Sequence, residues 1–135
     1  FRGELFSGTH NFASGGDTFK IALYTGSIAS VYTTASTVVS GTNEVSTGGG
    51  SNYTRKTLGS QAVASSTAVA SVDFGDSTWT SATFTAAFAA IYNDDQGDKL
   101  CVVLDFGGDK TCTNGTFKIT YPDPATPANA IISMS

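Results

Sequence analysis

Few residues of this chain carry chemistry beyond hydrogen bonding. His10 is its only histidine, and Cys101 and Cys112 are its only cysteines. Nucleophilic catalysis would need His10 beside an activated serine or cysteine. No Gly-x-Ser-x-Gly elbow surrounds any serine, so His10 reads as a structural or turn residue. One histidine with two cysteines eleven positions apart is neither a CxxC motif nor a zinc ligand set. Cys101 and Cys112 could pair as a disulfide if the Gly107-Gly108 loop folds back, but two small, partly buried thiols are the preferred reading.

The carboxylates are read in the same way. Asp94, Asp95 and Asp98 share a loop that could hold Ca²⁺, but their spacing is not that of an EF-hand loop and the closing Glu is absent. A solvated turn fits better. Asp73 with Asp76, or Asp105 with Asp109, could serve a glycosidase only if held roughly 5 to 9 Å apart across a groove, and nothing in the spacing places them so. Trp79 and the five tyrosines could form a sugar platform, although Trp79 lies between the apolar Phe74 and Phe84 segments, where core or interface packing is expected. Asn52-Tyr53-Thr54 and Asn114-Gly115-Thr116 match the glycosylation sequon, as chance allows in a Thr-rich chain. No catalytic constellation, metal set or cofactor box emerges, and the chain reads as a non-enzyme.

Composition narrows the class. The 135 residues include 20 Thr, 16 Ser and 15 Gly but only 18 charged side chains. At 13% charged the chain is well below the roughly 25% of ordinary soluble domains. A net charge of −4 argues against nucleic acid and anionic lipid as partners, since both attract clustered Lys and Arg. Nine Phe and five Tyr argue against disorder. No apolar run approaches the roughly 20 residues of a membrane helix. The opening Phe1-Arg2-Gly3-Glu4-Leu5 lacks the apolar centre expected of a signal peptide and does not begin with Met, which leaves room for residues before it. A surface rich in hydroxyls and poor in charge suits burial between copies of an assembly, where each charge would need a partner.

The elements that must carry these residues are strands. Asp17 to Tyr24 puts Phe19, Ile21 and Leu23 on one face at period two, and Ala68 to Phe74 alternates likewise. Leu100 to Phe106 is continuously apolar and is expected at the sheet centre. Thr116 to Tyr121 and Asn129 to Met134 complete the clear set. Arg55 to Ser60, Thr78 to Thr80 and Phe84 to Tyr92 are weaker. The Ala86 to Ile91 stretch has helix propensity, but its shortness and lack of caps favour a strand. Gly15-Gly16-Asp17, Gly48-Gly49-Gly50, Asp94 to Asp98, Gly107-Gly108-Asp109 and above all Asn114-Gly115 signal turns. Ser27 to Ser51 reads as a long excursion with a short helix near Ile28 to Tyr32. The expectation is one all-β domain over residues 1–135, a β-sandwich or jelly roll of about 7–9 antiparallel strands.

Several of these segments, in order, carry a resemblance. They are Glu4 to Phe12, Asp17 to Thr25, Val72-Asp73-Phe74 with Thr78-Trp79-Thr80, Ala89 to Asn93, Val103 to Lys110, Asn114 to Phe117 and Asn129 to Ile132. Covering nearly the whole chain, they resemble the small structural proteins encoded among the head and tail genes of tailed bacteriophages. The chain departs from that group at Ala86-Ala87-Phe88-Ala89-Ala90, where related sequences carry Ala-Arg-Gly-Ala, so no role of that arginine carries over. The cysteines are particular to this chain.

The resemblance implies a virion structural protein, foremost a capsid decoration or cement protein acting through buried area. Its expected partners are the major capsid protein or other virion proteins, and its expected form is a homo-oligomer, a symmetric dimer or trimer. It would be assembled in the bacterial host cytoplasm and reside on the capsid surface. A tail or neck component and a receptor- or glycan-binding fibre module are the alternatives. Candidate contact arms are the N-terminal segment 1–14, with Phe1, Leu5 and Phe6, and the excursion 27–51, with Ile28, Val31 and Tyr32. Trp79 is a further candidate interface residue.

Overall fold

The alternation at Phe19, Ile21 and Leu23 forms strand β1 (Phe19–Tyr24). The computed structural model describes residues 1–65, 69–122 and 130–134. A short helix α1 (Arg2–Phe6) precedes β1, and a 3-10 turn at Ile28–Ser30 follows it, where a short helix was expected. Then come β2 (Lys56–Thr57), β3 (Ala62–Ser65), β4 (Ala70–Asp73), β5 (Ser77–Asn93), β6 (Lys99–Ile119) and β7 (Ile132–Met134). These seven strands pair antiparallel in two sheets, ordered β2-β1-β5-β6 and β3-β4-β7. The fold is all-β, as the turn-punctuated alternation predicts. Ala68 and Asn129, expected at strand ends, lie outside the described residues.

The centre of the larger sheet is β5, not the Leu100 to Phe106 run. β5 lies between β1 and β6, with Ile91 opposite both Ile21 and Val102. Its second half, Ala86 to Asn93, is buried on both faces. Alanine favours helices in isolation. Here small side chains alternating with Phe88, Ile91 and Tyr92 let cover approach both sides of one strand, and that burial decides the conformation. Leu100 to Phe106 belongs to β6, whose one neighbour in the sheet is β5. Val102, Leu104 and Phe106 serve one face and Leu100 and Val103 the other, so the run is apolar throughout although it stands at an edge.

Two of the strongest turn signals are absorbed into β6 as bulges. Phe88 faces Asp105 while Ala86 faces Lys110, so five steps of β6 stand against two of β5. The surplus loops out around Gly107 (φ 70°) and Gly108 (φ 130°). Further along, Ala82 faces Gly115 and Phe84 faces Cys112, three steps against two. There Asn114 takes φ 45° and its N–H donates to Thr83 Oγ1 at 2.9 Å. Residues that tolerate positive φ suit a bulge as well as a hairpin. With seventeen residues of β5 alongside, β6 continues rather than turns. The reversal itself falls at the expected Asp94 to Asp98 loop, with Gly97 and Asp98 both at positive φ.

Each face of the larger sheet buries its own cluster. One face gathers Phe19, Ile21, Leu23, Trp79, Phe84 and Ile91 against Phe12, Tyr53, Phe74 and Tyr121, with Val72 and Ile132 of the smaller sheet packed on them. The other gathers Ala22, Tyr24, Phe88, Ala90 and Tyr92 beneath Tyr32, with Ile28, Val31 and Val39 at the margin. The excursion 27–51 is therefore not a projecting arm. An apolar second face must be taken out of water, and this segment is consumed in covering it. Bridges Tyr24↔Glu44 and Val38↔Lys99 fasten it to the sheet. A closed hydroxyl relay does the same: Tyr32 Oη donates to Tyr24 Oη (2.8 Å), Tyr24 Oη to the Ser40 carbonyl (2.6 Å), and Ser40 N–H to Tyr32 Oη (3.0 Å).

Candidate functional site

The densest polar chemistry lies where the N-terminal segment meets the β5–β6 hairpin. α1 supplies Glu4, the chain leading into β1 supplies His10 and Asp17, the end of β5 supplies Asn93, and the start of β6 supplies Lys99 and Cys101. Asp17 Oδ2 can only accept, and it lies 2.8 Å from the Asn93 side-chain amide, whose nitrogen must therefore face it. The same nitrogen lies 3.0 Å from His10 Nδ1, which makes Nδ1 an acceptor and places the imidazole proton on Nε2. Nε2 then faces Glu4 Oε2 at 3.4 Å, and Lys99 Nζ donates to the other Glu4 oxygen. Asn93 is fully buried, and its Oδ1 accepts no hydrogen bond among the described residues.

The charges follow from these contacts. The Lys99 ammonium, opposed in part by burial, is the main reason the Glu4 carboxyl is held down at about 2. Burial alone would raise Asp17, but the Asn11 N–H and the Asn93 amide more than offset it and keep its carboxyl below the usual range. Cys101 Sγ lies 4.0 Å from His10 Nδ1. Thiol, imidazole and carboxylate in series are the parts of a cysteine nucleophile. They are not arranged to work as one, because Nδ1 is occupied by the Asn93 amide. Burial, with Glu4 adding to it, also pushes the Cys101 thiol up to about 12. What the cluster does is tie residues 1–17 to the sheet. The expected result is that Cys101, in a Cys112→Ala variant at pH 8, reacts with a disulfide reagent at least about a hundredfold more slowly than a free thiol, because the thiolate is the reacting form. A rate near that of free cysteine would sink this description.

A second polar cluster pins the excursion. Arg55 holds Glu44 through two parallel hydrogen bonds, Nε to Oε1 at 2.9 Å and Nη2 to Oε2 at 2.8 Å, and reaches Tyr92 Oη with Nη1 at 3.2 Å. Tyr53 Oη donates to Glu44 and accepts from the Leu23 N–H of β1. The Glu44 carboxylate keeps the Arg55 guanidinium charged, and burial drives the Tyr53 phenol upward.

The remaining candidates are dispersed. Cys101 and Cys112 are both free. They sit on one strand, beside Ile91 and opposite Phe84, seven positions apart along β5 and so about 23 Å at strand rise. A disulfide needs its Cα atoms within about 7 Å. The bulge at Gly107-Gly108 does not fold the chain back between them. Asp94 pairs with Lys20 at 2.8 Å and Asp95 accepts the Thr18 N–H at 2.7 Å, so this loop sews the hairpin to the start of β1. Asp73 is buried while Asp76 pairs with Lys118 at 2.7 Å. Asp105 and Asp109 are exposed at a groove described below.

Of the candidate interface residues, Trp79 and Tyr32 are corrected: at 1% and 5% exposure their rings belong to the chain's own core. Phe1, Leu5, Ile28 and Val31 are half-buried against the two clusters. Phe6 alone stands out in solvent, at 88% exposure. Segment 1–14 is anchored by the buried His10 and Phe12, while residues 2, 3, 6–8, 11, 13 and 14 stay exposed. Sequence reasoning missed Glu4, Glu44, Arg55, Asn93 and Lys99. Asn93 follows a strand and precedes two aspartates, so it reads as a turn, and nothing local signals that residues 10, 17 and 93 meet. No family model, curated protein or solved structure matches the chain.

Proposed function

We propose that this chain is a structural protein of a tailed-phage particle, most readily a decoration or cement protein packed as a β-sandwich on the capsid surface. One observation carries the non-catalytic part of that reading. The groups with chemical potential, His10, Cys101, Glu4 and Glu44, are spent on joining elements of the fold. What faces outward is a hydroxyl-rich surface of low charge with an open groove. Such a surface stabilises neighbours by area, and repetition over a shell turns weak contacts into avidity. The phage part rests on the sequence resemblance. A glycan-binding fibre module is less well supported, because its Trp79 platform is inside the core.

The test is the chain's place in a reconstructed particle. A cement protein should be present in hundreds of copies on the head, and shells lacking it should break at lower temperature than shells with it restored. Tens of copies at the neck or tail would favour the tail reading. Equal heat resistance with and without the protein would sink cement, and absence from the particle would sink the virion reading altogether.

A further inference from the structure

The larger sheet is not fully covered on its outer face. Between the excursion and the β6 bulge runs an open groove of 690 Å³. The half-buried Leu100 and Val103 lie along it above the buried Phe88, Ile28 flanks it on one side, and Asp105 and Asp109 stand on the other. The bulge of β6 holds both carboxylates at this rim. Among the described residues neither has a cationic partner.

The complementary shape lies elsewhere on the same chain. Phe6 and Arg2 are i and i+4 neighbours on α1, so an exposed phenyl ring and an exposed guanidinium share one helix face. Arg2 has no carboxylate partner among the described residues. Other residues of α1 are committed inward, Leu5 against the core and Glu4 to Lys99 and His10. The helix is thereby held in place with Phe6 and Arg2 presented outward, which lowers the ordering cost of any contact they make. No residue of α1 lines the groove of its own chain.

From this match we infer that the groove receives α1 of a second copy, with Phe6 against Ile28 and Val103 and Arg2 against Asp105 and Asp109. The inference rests on the reading of the chain as an assembly subunit and names the surface through which copies meet. Helix and groove are different patches, so one contact leaves a helix and a groove free, and these either meet each other across a two-fold axis or pass the contact on head to tail. The reciprocal form is a closed dimer, and the head-to-tail form closes into a ring where the rotation allows. The free edge of β6 is a poorer meeting surface, because two bulges and the charges of Asp105, Asp109, Lys110 and Lys118 oppose strand addition.

Sedimentation equilibrium of the purified chain tests this. Wild-type protein should self-associate with rising concentration. Phe6→Ser, and separately Asp105→Lys with Asp109→Lys, should weaken association by about tenfold or more. Both variants should keep wild-type circular dichroism, since all three side chains are exposed. Mixing the two variants should restore a one-to-one dimer that grows no further, because the intact helix of one fits the intact groove of the other. A wild-type monomer at every concentration, variants that associate as tightly as wild type, or a mixture that stays monomeric would each overturn the contact. Failure here is distinct from failure of the virion reading. A monomer found on capsids would sink the contact alone, and a self-associating chain absent from particles would sink the virion reading alone.

Discussion

Trp79→Ala should lower the free energy of unfolding by about 3–5 kcal/mol, the cost of removing a buried large aromatic. The ring is 1% exposed and lies among Tyr53, Phe84 and Phe117 at centroid distances of 6.4, 6.4 and 6.0 Å. Trp79 stands opposite Phe117 in the β5–β6 ladder, and its Nε1–H donates to the Thr54 carbonyl at 2.8 Å. It therefore joins the long hairpin to the segment that leads into β2. Domains are stable by only about 5–15 kcal/mol, so the loss is about a fifth of the total or more. Trp79→Phe should cost less, since most of the ring volume stays while the Thr54 carbonyl loses its donor at about 1–3 kcal/mol. Urea titrations followed by circular dichroism would measure both, because the sole tryptophan is the one removed. A loss below about 1 kcal/mol for the alanine variant would show that the ring is not part of the core. The same experiment guards the glycan question, since binding lost in an unfolded variant says nothing about a sugar platform.

What was legible in the sequence is what local period and turn chemistry encode. Phe19, Ile21 and Leu23 fixed β1 and its buried face, and Phe117, Ile119 and Tyr121 announced the inward side of the chain around the end of β6. The Asp94 to Asp98 loop was a turn on both counts. The errors share one cause, which is that the order of strands in a sheet is a tertiary property. Leu100 to Phe106 is apolar enough for a central strand, yet it stands at the edge because the alanine-rich half of β5 packs on both faces and takes the centre. Asn114-Gly115 satisfies the φ requirement of a hairpin and of a bulge alike, and only the length of the neighbouring strand decides between them. The excursion 27–51 looked free because its Thr, Ser and Gly residues are polar. Its few apolar side chains, Ile28, Val31, Tyr32 and Val39, cover part of a sheet face whose need for cover is encoded sixty residues away. The polar hub was invisible for the same reason, since its partners come from residues 4, 10, 17, 93 and 99.

That hub sets the second large effect. Asn93→Ala should release the N-terminal segment while leaving the sheet folded. One amide nitrogen serves both His10 Nδ1 and Asp17 Oδ2, and its loss leaves the buried His10 Nδ1 without that donor, at about 1–3 kcal/mol, and Asp17 Oδ2 with the Asn11 N–H. Removing the unpartnered Asn93 Oδ1 returns part of that cost. Hydrogen exchange should show the amides of residues 10–17 losing protection while those of β1 and β5 keep theirs, since local and global opening are separable. Acid should do the same to the wild-type chain. Both Glu4 and Asp17 are depressed in the folded state, Glu4 to about 2. Their stabilisation is therefore complete above the unfolded carboxylate range, at about pH 5, and is lost as pH falls through about 4 towards 2. Glu4 is about a quarter exposed, so salt should weaken its share. Glu4→Gln should flatten the acid step without abolishing it, because Asp17 still titrates, and Asn93→Ala should show the released state already at pH 7. Uniform loss of protection across β1, β5 and residues 10–17, in either the variant or the acid titration, would mean that the hub holds the whole sheet and not the N-terminal segment.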